Sequence, residues 1–188
     1  MPRPLAAFML LVCLSSCALL PTPTETDQAE LIPMAQPIGP ARRIVQQITA
    51  IWAGRQDTLL CVLELDKQHI AVAGLSNEGI SLFNLNYDGK KMAMDKSPLL
   101  PDSVSPERII KDLQLVYWPL AEMQKILPLQ WRLDADKQHR RLTFNNEPRV
   151  DVDYHQPDAS WPKTVTLTNH RYHYQLHIKT ISYELIPE

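Results

Sequence analysis

Apolar and polar residues alternate with period two along most of this chain, and one central stretch repeats at helical spacing instead. From Arg42 the residues Ile44, Gln46, Ile48, Ala50 and Trp52 fall on one face of a strand, with Val45, Gln47, Thr49 and Ile51 on the other. A turn around Gly54 follows. Residues 56–66 and 68–75 read as second and third strands, the latter with Ile70 and Val72 inward. Ser76-Asn77-Glu78-Gly79 turns the chain into a fourth strand over 80–87, in which Phe83, Leu85 and Tyr87 share a face. Asp88-Gly89 is a hairpin signal, and Met92 and Met94 mark a short fifth strand. These five make an antiparallel meander.

The period changes after Pro101. Ser105-Pro106-Glu107 supplies an N-cap, a proline at the first helical position and an acid in the first turn. Ile109, Ile110, Leu113 and Val116 then recur at helical spacing, Trp118-Pro119 interrupts, and Leu120, Met123, Ile126 and Leu127 continue a second piece. Strand alternation returns over 131–134, 141–144, 149–154, 164–168 and 172–185. About ten antiparallel strands twist and curl toward closure, so the pattern predicts a mainly β, α+β domain: an unclosed barrel with a helical lid inserted after the fifth strand. The inward residues Leu63, Phe83 and Leu85, with Ile110 and Leu113 from the lid, are the candidate wall of an apolar cavity.

The first forty residues follow neither period. Arg3, an apolar run from Leu5 to Leu14 and the sequence Leu14-Ser15-Ser16-Cys17 have the form of a signal peptide over 1–16 ending in a lipobox. The apolar run falls short of the roughly 20 residues a membrane-spanning helix needs. Cleavage between Ser16 and Cys17 would leave the Cys17 thiol to take a diacylglycerol, the mark of a bacterial lipoprotein; an ordinary secreted protein cleaved nearby is the alternative. Ala18 in place of Asp directs such a lipoprotein to the outer membrane, facing the periplasm. Residues 17–40, rich in proline, read as a tether, and 41–188 as a single folded domain, expected to be monomeric.

Composition and charge narrow the chemistry. With Cys13 in the signal and Cys17 lipidated, Cys61 has no disulfide partner, and within Leu59-Leu60-Cys61-Val62-Leu63 it reads as a small buried hydrophobe rather than a nucleophile. A net charge of −2 gives no basic field for nucleic acid. Only five glycines occur, with no nucleophile elbow, phosphate loop or dinucleotide fingerprint, so the expectation is a non-enzyme without cofactor. His170, His173 and His177 invite a metal, but the last two, four apart on one strand, would stand about 13 Å apart. Asp151 and Asp153 share a face opposite Val150, Val152 and Tyr154 and read as solvated carboxylates.

Several motifs in order complete the picture: Trp52-Ala53-Gly54-Arg55, the run from Leu60 to Asp66, Ala73-Gly74-Leu75-Ser76, Gly79, Leu82-Phe83, Tyr87-Asp88-Gly89, Leu99-Leu100-Pro101, Asp112-Leu113-Gln114-Leu115 and Trp118-Pro119. Together they resemble an uncharacterised family of bacterial outer-membrane lipoproteins encoded with aryl-polyene or fatty-acid-type biosynthesis clusters. That family is distantly similar to the LolA and LolB lipoprotein carriers. The resemblance implies an open barrel with a helical lid over a hydrophobic cavity. It also implies a role in binding or passing a lipid, acyl, polyene or lipoprotein cargo to the outer membrane, and a periplasmic carrier protein is a candidate partner. LolB-type receptors carry an apolar tip after the third strand; here that turn is polar, and Leu99-Leu100 is the nearest apolar substitute. A structural or assembly lipoprotein with a packed interior, and an enzyme acting on an acyl product, are the alternatives. A carrier requires an apolar void of several hundred cubic ångströms.

Overall fold

The computed structural model describes residues 32–156 and 161–187. The expected signal peptide, its cleavage residue Ser16 and the lipidation residue Cys17 lie outside them. Strands β1 (Arg42–Trp52), β2 (Arg55–Leu65), β3 (Ile70–Leu75), β4 (Ser81–Tyr87) and β5 (Met92–Lys96) come first. Helices α1 (Pro106–Tyr117) and α2 (Leu120–Ile126) follow, then β6 (Trp131–Ala135), β7 (His139–Phe144), β8 (Glu147–Tyr154), β9 (Thr164–Asn169) and β10 (Tyr174–Leu185). The strands form one ten-stranded sheet in the order β5-β4-β3-β2-β1-β10-β9-β8-β7-β6.

Two meanders are therefore joined at their outer ends in sequence. The first strand pairs antiparallel with the last, from Arg42 opposite Leu185 to Trp52 opposite Tyr174, with a register shift between Val45 and Gln46. β5 and β6 are the two edges, and among the described residues no ladder joins them, so the sheet stays unclosed. The helical pair connects these edges in sequence and covers the apolar face. At the β1–β2 hairpin Ala53 and Gly54 both take positive φ, 48° and 74°, as a two-residue turn matching the strand twist requires.

Local chemistry sets the helix ends. The Ser105 side chain caps α1 by accepting from the Arg108 N–H at 3.2 Å, with Pro106 in the first turn. At the other end Trp118 turns extended before Pro119, whose ring disfavours helical backbone in the residue ahead of it. Ile110, Leu113, Leu115 and Val116 are buried against the sheet.

One boundary differs from the sequence expectation. The tether was expected to run to residue 40, but the folded unit begins at Ile32. Gln114, fully buried on α1, holds this segment through a two-way contact: the Ala35 N–H donates to its Oε1 at 2.8 Å and its Nε2 donates to the Ala35 carbonyl at 2.7 Å. Trp118 Nε1 donates to the Gln36 carbonyl at 2.9 Å, and Gln36 Nε2 reaches the Gly89 carbonyl at 2.9 Å. The segment forms no helix or strand, and a side chain 79 positions away satisfies the backbone of Ala35.

Candidate functional site

An apolar cavity of about 700 Å³ lies between α1 and the first meander. Its wall is built from the inward positions that strand alternation creates: Ile48, Ala50 and Trp52 on β1, Leu59, Cys61 and Leu63 on β2, Val72 on β3 and Phe83 on β4. β10, the other neighbour of β1, adds Leu176 and Ile178. The helix contributes Ile109, Leu113 and Val116, spaced to share one stripe. At the rim stand the β1–β2 hairpin with Arg55 and Asp57, the β3–β4 turn with Asn77 and Glu78, and Leu99, which is exposed.

Of the five residues expected to form the wall, Leu63, Phe83 and Leu113 line this cavity. Leu85 and Ile110 do not. They are 1 % and 0 % exposed and belong to packed core. Leu85 lies one inward step further down β4 from Phe83, and Ile110 lies on the stripe of α1 shared with Gln114, beside the one that faces the void.

Small inward residues help leave the space open. Gly74 on β3 is opposite Phe83 in the ladder, and a Cβ there would fall 2.2 Å from the Phe83 ring, so the ring lies directly on the glycine backbone.

Polar groups interrupt the apolar wall. Gln46, buried on β1, donates from Nε2 to the Tyr117 hydroxyl and to Thr180 Oγ1 at 3.3 Å. Asp112 lies on the cavity stripe of α1, its Oδ2 accepting from the Tyr174 hydroxyl, which in turn accepts from Asn169 Nδ2 at 3.1 Å. Burial pushes the Asp112 carboxyl up to about 7, outweighing the opposing effects of the Tyr174 hydrogen bond and the Arg108 charge. Burial likewise pushes the Cys61 thiol up to about 12, leaving it protonated and unreactive at neutral pH. Neither Asp112 nor Gln46 was singled out from sequence, although each was visible as a polar residue on an otherwise apolar face.

The histidines and paired acids lie elsewhere, on the outer face. His173 occupies a turn with φ of 54° rather than the strand expected to carry it with His177. His170 Nε2 lies 2.8 Å from Asp151 Oδ2, His139 Nδ1 lies 2.8 Å from Asp153 Oδ1, and Arg141 Nε donates to Asp151 Oδ1 at 2.7 Å. Asp151, at 14 % side-chain exposure, is thus an ion-paired group and more enclosed than a solvated carboxylate. Burial alone would push its pKa up, but hydrogen bonds from Arg141 and His170 hold it below the usual carboxylate range. Among the described residues no group of His, Cys, Asp and Glu could hold a metal, and no helix is long and apolar enough to cross a membrane.

The architecture is an open antiparallel sheet of ten strands with a helical lid over an apolar cavity. Residues 43–182 match the model of the family described as "Protein of unknown function (DUF3261)", and the chain belongs to that family. Among curated proteins, none matches it. Among solved structures, the chain is similar to a LolA superfamily protein from Nitrosomonas europaea at 9 % identity and a TM-score of 0.44, covering 79 % of this chain and 87 % of that one. It is also similar to a DUF1329 family protein from Desulfovibrio piger at 8 % identity and a TM-score of 0.41, covering 85 % and 88 %.

Proposed function

We propose that this protein is a non-enzymatic carrier that shelters the acyl or polyene chain of a lipid, or the acyl chains of a lipoprotein, in its cavity and passes the cargo to the outer membrane. Cys17 carries the lipid anchor in this reading, and the folded body works as a monomer on the periplasmic face, receiving cargo from a periplasmic carrier protein. The observation that carries the reading is the apolar space of about 700 Å³ under α1, within the range of small-molecule sites and walled by aliphatic and aromatic side chains. Among the described residues its lining holds no histidine, and the one thiol there is kept protonated, which favours binding over acyl-transfer chemistry. Biosynthesis beside an aryl-polyene or fatty-acid-type cluster would supply such a cargo.

Native mass spectrometry of the protein purified from its own host tests this directly. The expected result is a co-purifying lipid or polyene released on denaturation. If no apolar molecule co-purifies and none binds on addition, the carrier reading falls and a structural or assembly lipoprotein takes its place. Membrane fractionation of Cys17→Ala checks the anchor separately: the variant is expected to lose its membrane association.

A further inference from the structure

A carboxyl group on a cavity-facing stripe needs a reason, because an aliphatic residue there would complete the apolar wall without a desolvation cost. Asp112 stands on α1 among Ile109, Leu113 and Val116, all of which line the cavity with it. Its two oxygens are not equivalent. Oδ2 is fixed by the Tyr174 hydroxyl, itself held by Asn169, whereas Oδ1 accepts no hydrogen bond from the described residues. Arg108, the cation on its own helix whose charge acts on it, is engaged elsewhere: its guanidinium lies 3.9 Å over the Tyr172 ring, and its Nη1 donates to the Ser103 carbonyl at 3.1 Å.

Building on the carrier reading above, we propose that Asp112 recognises the polar end of the cargo, and that this end is a protonated amine on a long-chain amphiphile rather than a carboxylate. Position supports this. Tyr174, which holds Asp112, is opposite Trp52 at the end of the sheet that carries the Arg55 hairpin, so Asp112 stands at the hairpin end of the cavity. From Trp52 the wall runs down β1 to Gln46, about 20 Å of strand, with Cys61 and Leu63 alongside on β2 to receive the tail. Charge points the same way: the lining carries three carboxyl groups, Asp57, Glu78 and Asp112, against one guanidinium, Arg55. An anionic head group would meet net repulsion, while an ammonium at Oδ1 would gain a charge-assisted hydrogen bond. The arriving cation also favours the ionised form of a carboxyl that burial holds near neutrality, so binding displaces a proton at neutral pH. The titratable groups that face Asp112 are Tyr174 from β10 and Arg108 on its own helix.

The test uses the full chain with the neutral reporter 1,6-diphenylhexatriene seated in the cavity, displaced by dodecylamine, dodecanoate or dodecanol at pH 8. Dodecylamine is expected to act at a concentration lower by about tenfold or more, the value of one hydrogen bond to a charged group. Asp112→Asn is expected to bring the three within about twofold of one another. Lowering the pH to 5, where the wild-type carboxyl takes up its proton, is expected to erase the advantage in the unsubstituted protein, so the outcome does not depend on the variant folding. Equal displacement by all three in the wild type, or an amine preference that survives in Asp112→Asn or at pH 5, overturns the inference and leaves the carrier reading standing. Failure of the reporter and all three amphiphiles to bind overturns both.

Discussion

The two meanders read alike in sequence and differ inside. Strands β6 to β9 contribute nothing to the cavity lining, whereas β1 to β4 supply most of it. In the second meander the inward positions are filled: Trp131 packs on Phe144 with ring centroids 5.0 Å apart, and Leu133, Leu142, Val152, Val165 and Leu167 are buried with Trp118 and Met123 from the helical pair. Polar ties fix the helix to this side. Arg140 Nη1 donates to the carbonyls of Leu115 at 2.9 Å and Trp118 at 2.7 Å, and the Tyr154 hydroxyl donates to the Val116 carbonyl at 2.6 Å. On the first meander the inward row includes Ala50, Cys61 and Gly74, too small to reach the helix. Alternation thus decides which face turns inward; side-chain volume and the seating of the lid decide whether the inside is full.

Truncation should expose this difference most strongly. Leu167→Ala, in the filled half, is expected to cost about 2–5 kcal/mol by urea unfolding, because the removed methyl groups leave a new void. Ile48→Ala already faces open space and is expected to cost about 1 kcal/mol. Equal losses would show that the first meander is filled in solution.

Asp112 offers a second contrast, between a hollow wall and its charge. The folded state keeps the Asp112 proton up to about pH 7, while the unfolded chain releases it near the ordinary value of 3.8, so its contribution to stability declines as pH rises between those limits. Asp112→Asn should therefore raise stability by up to about 4 kcal/mol at pH 8 and leave it nearly unchanged at pH 4. Melting curves at the two pH values check this, and a gain confined to pH 4 would reverse the assignment.

The smallest effect is expected at Gly74. A methyl group there must displace the Phe83 ring, and since the ring can swing into the void the cost should be about 1 kcal/mol, the low end for overpacking. Gly74→Ala should weaken diphenylhexatriene binding more than it lowers the melting temperature. A large loss of stability with unchanged binding would mean that the ring has no room to move.

Strand positions were legible because each inward row repeats every second residue, and the helix because Ser105-Pro106 opens it and Trp118-Pro119 breaks it. The emptiness was not legible. Gly74 opposite Phe83 and Cys61 beside Leu63 look like ordinary strand residues until the register is known. The Ile32 boundary was hidden for a related reason: nothing near Ala35 announces that Gln114 will satisfy its backbone. His173 was misplaced because its turn contains no glycine; Asn169 Oδ1 holds it instead by accepting from the Tyr172 N–H at 3.0 Å. Asp112 was readable as a residue type on a face, but its one free oxygen was not.

The pairing of β1 with β10 gives the chain a particular order of assembly. Each meander can zip from its own hairpins, whose partners are near in sequence, but the seam from Arg42–Leu185 to Trp52–Tyr174 must wait for the last strand to be made. The centre of the sheet is thus its slowest part. Loss of β10 would not trim an edge but would divide the sheet into two halves, and it would strip Leu176 and Ile178 from the cavity wall.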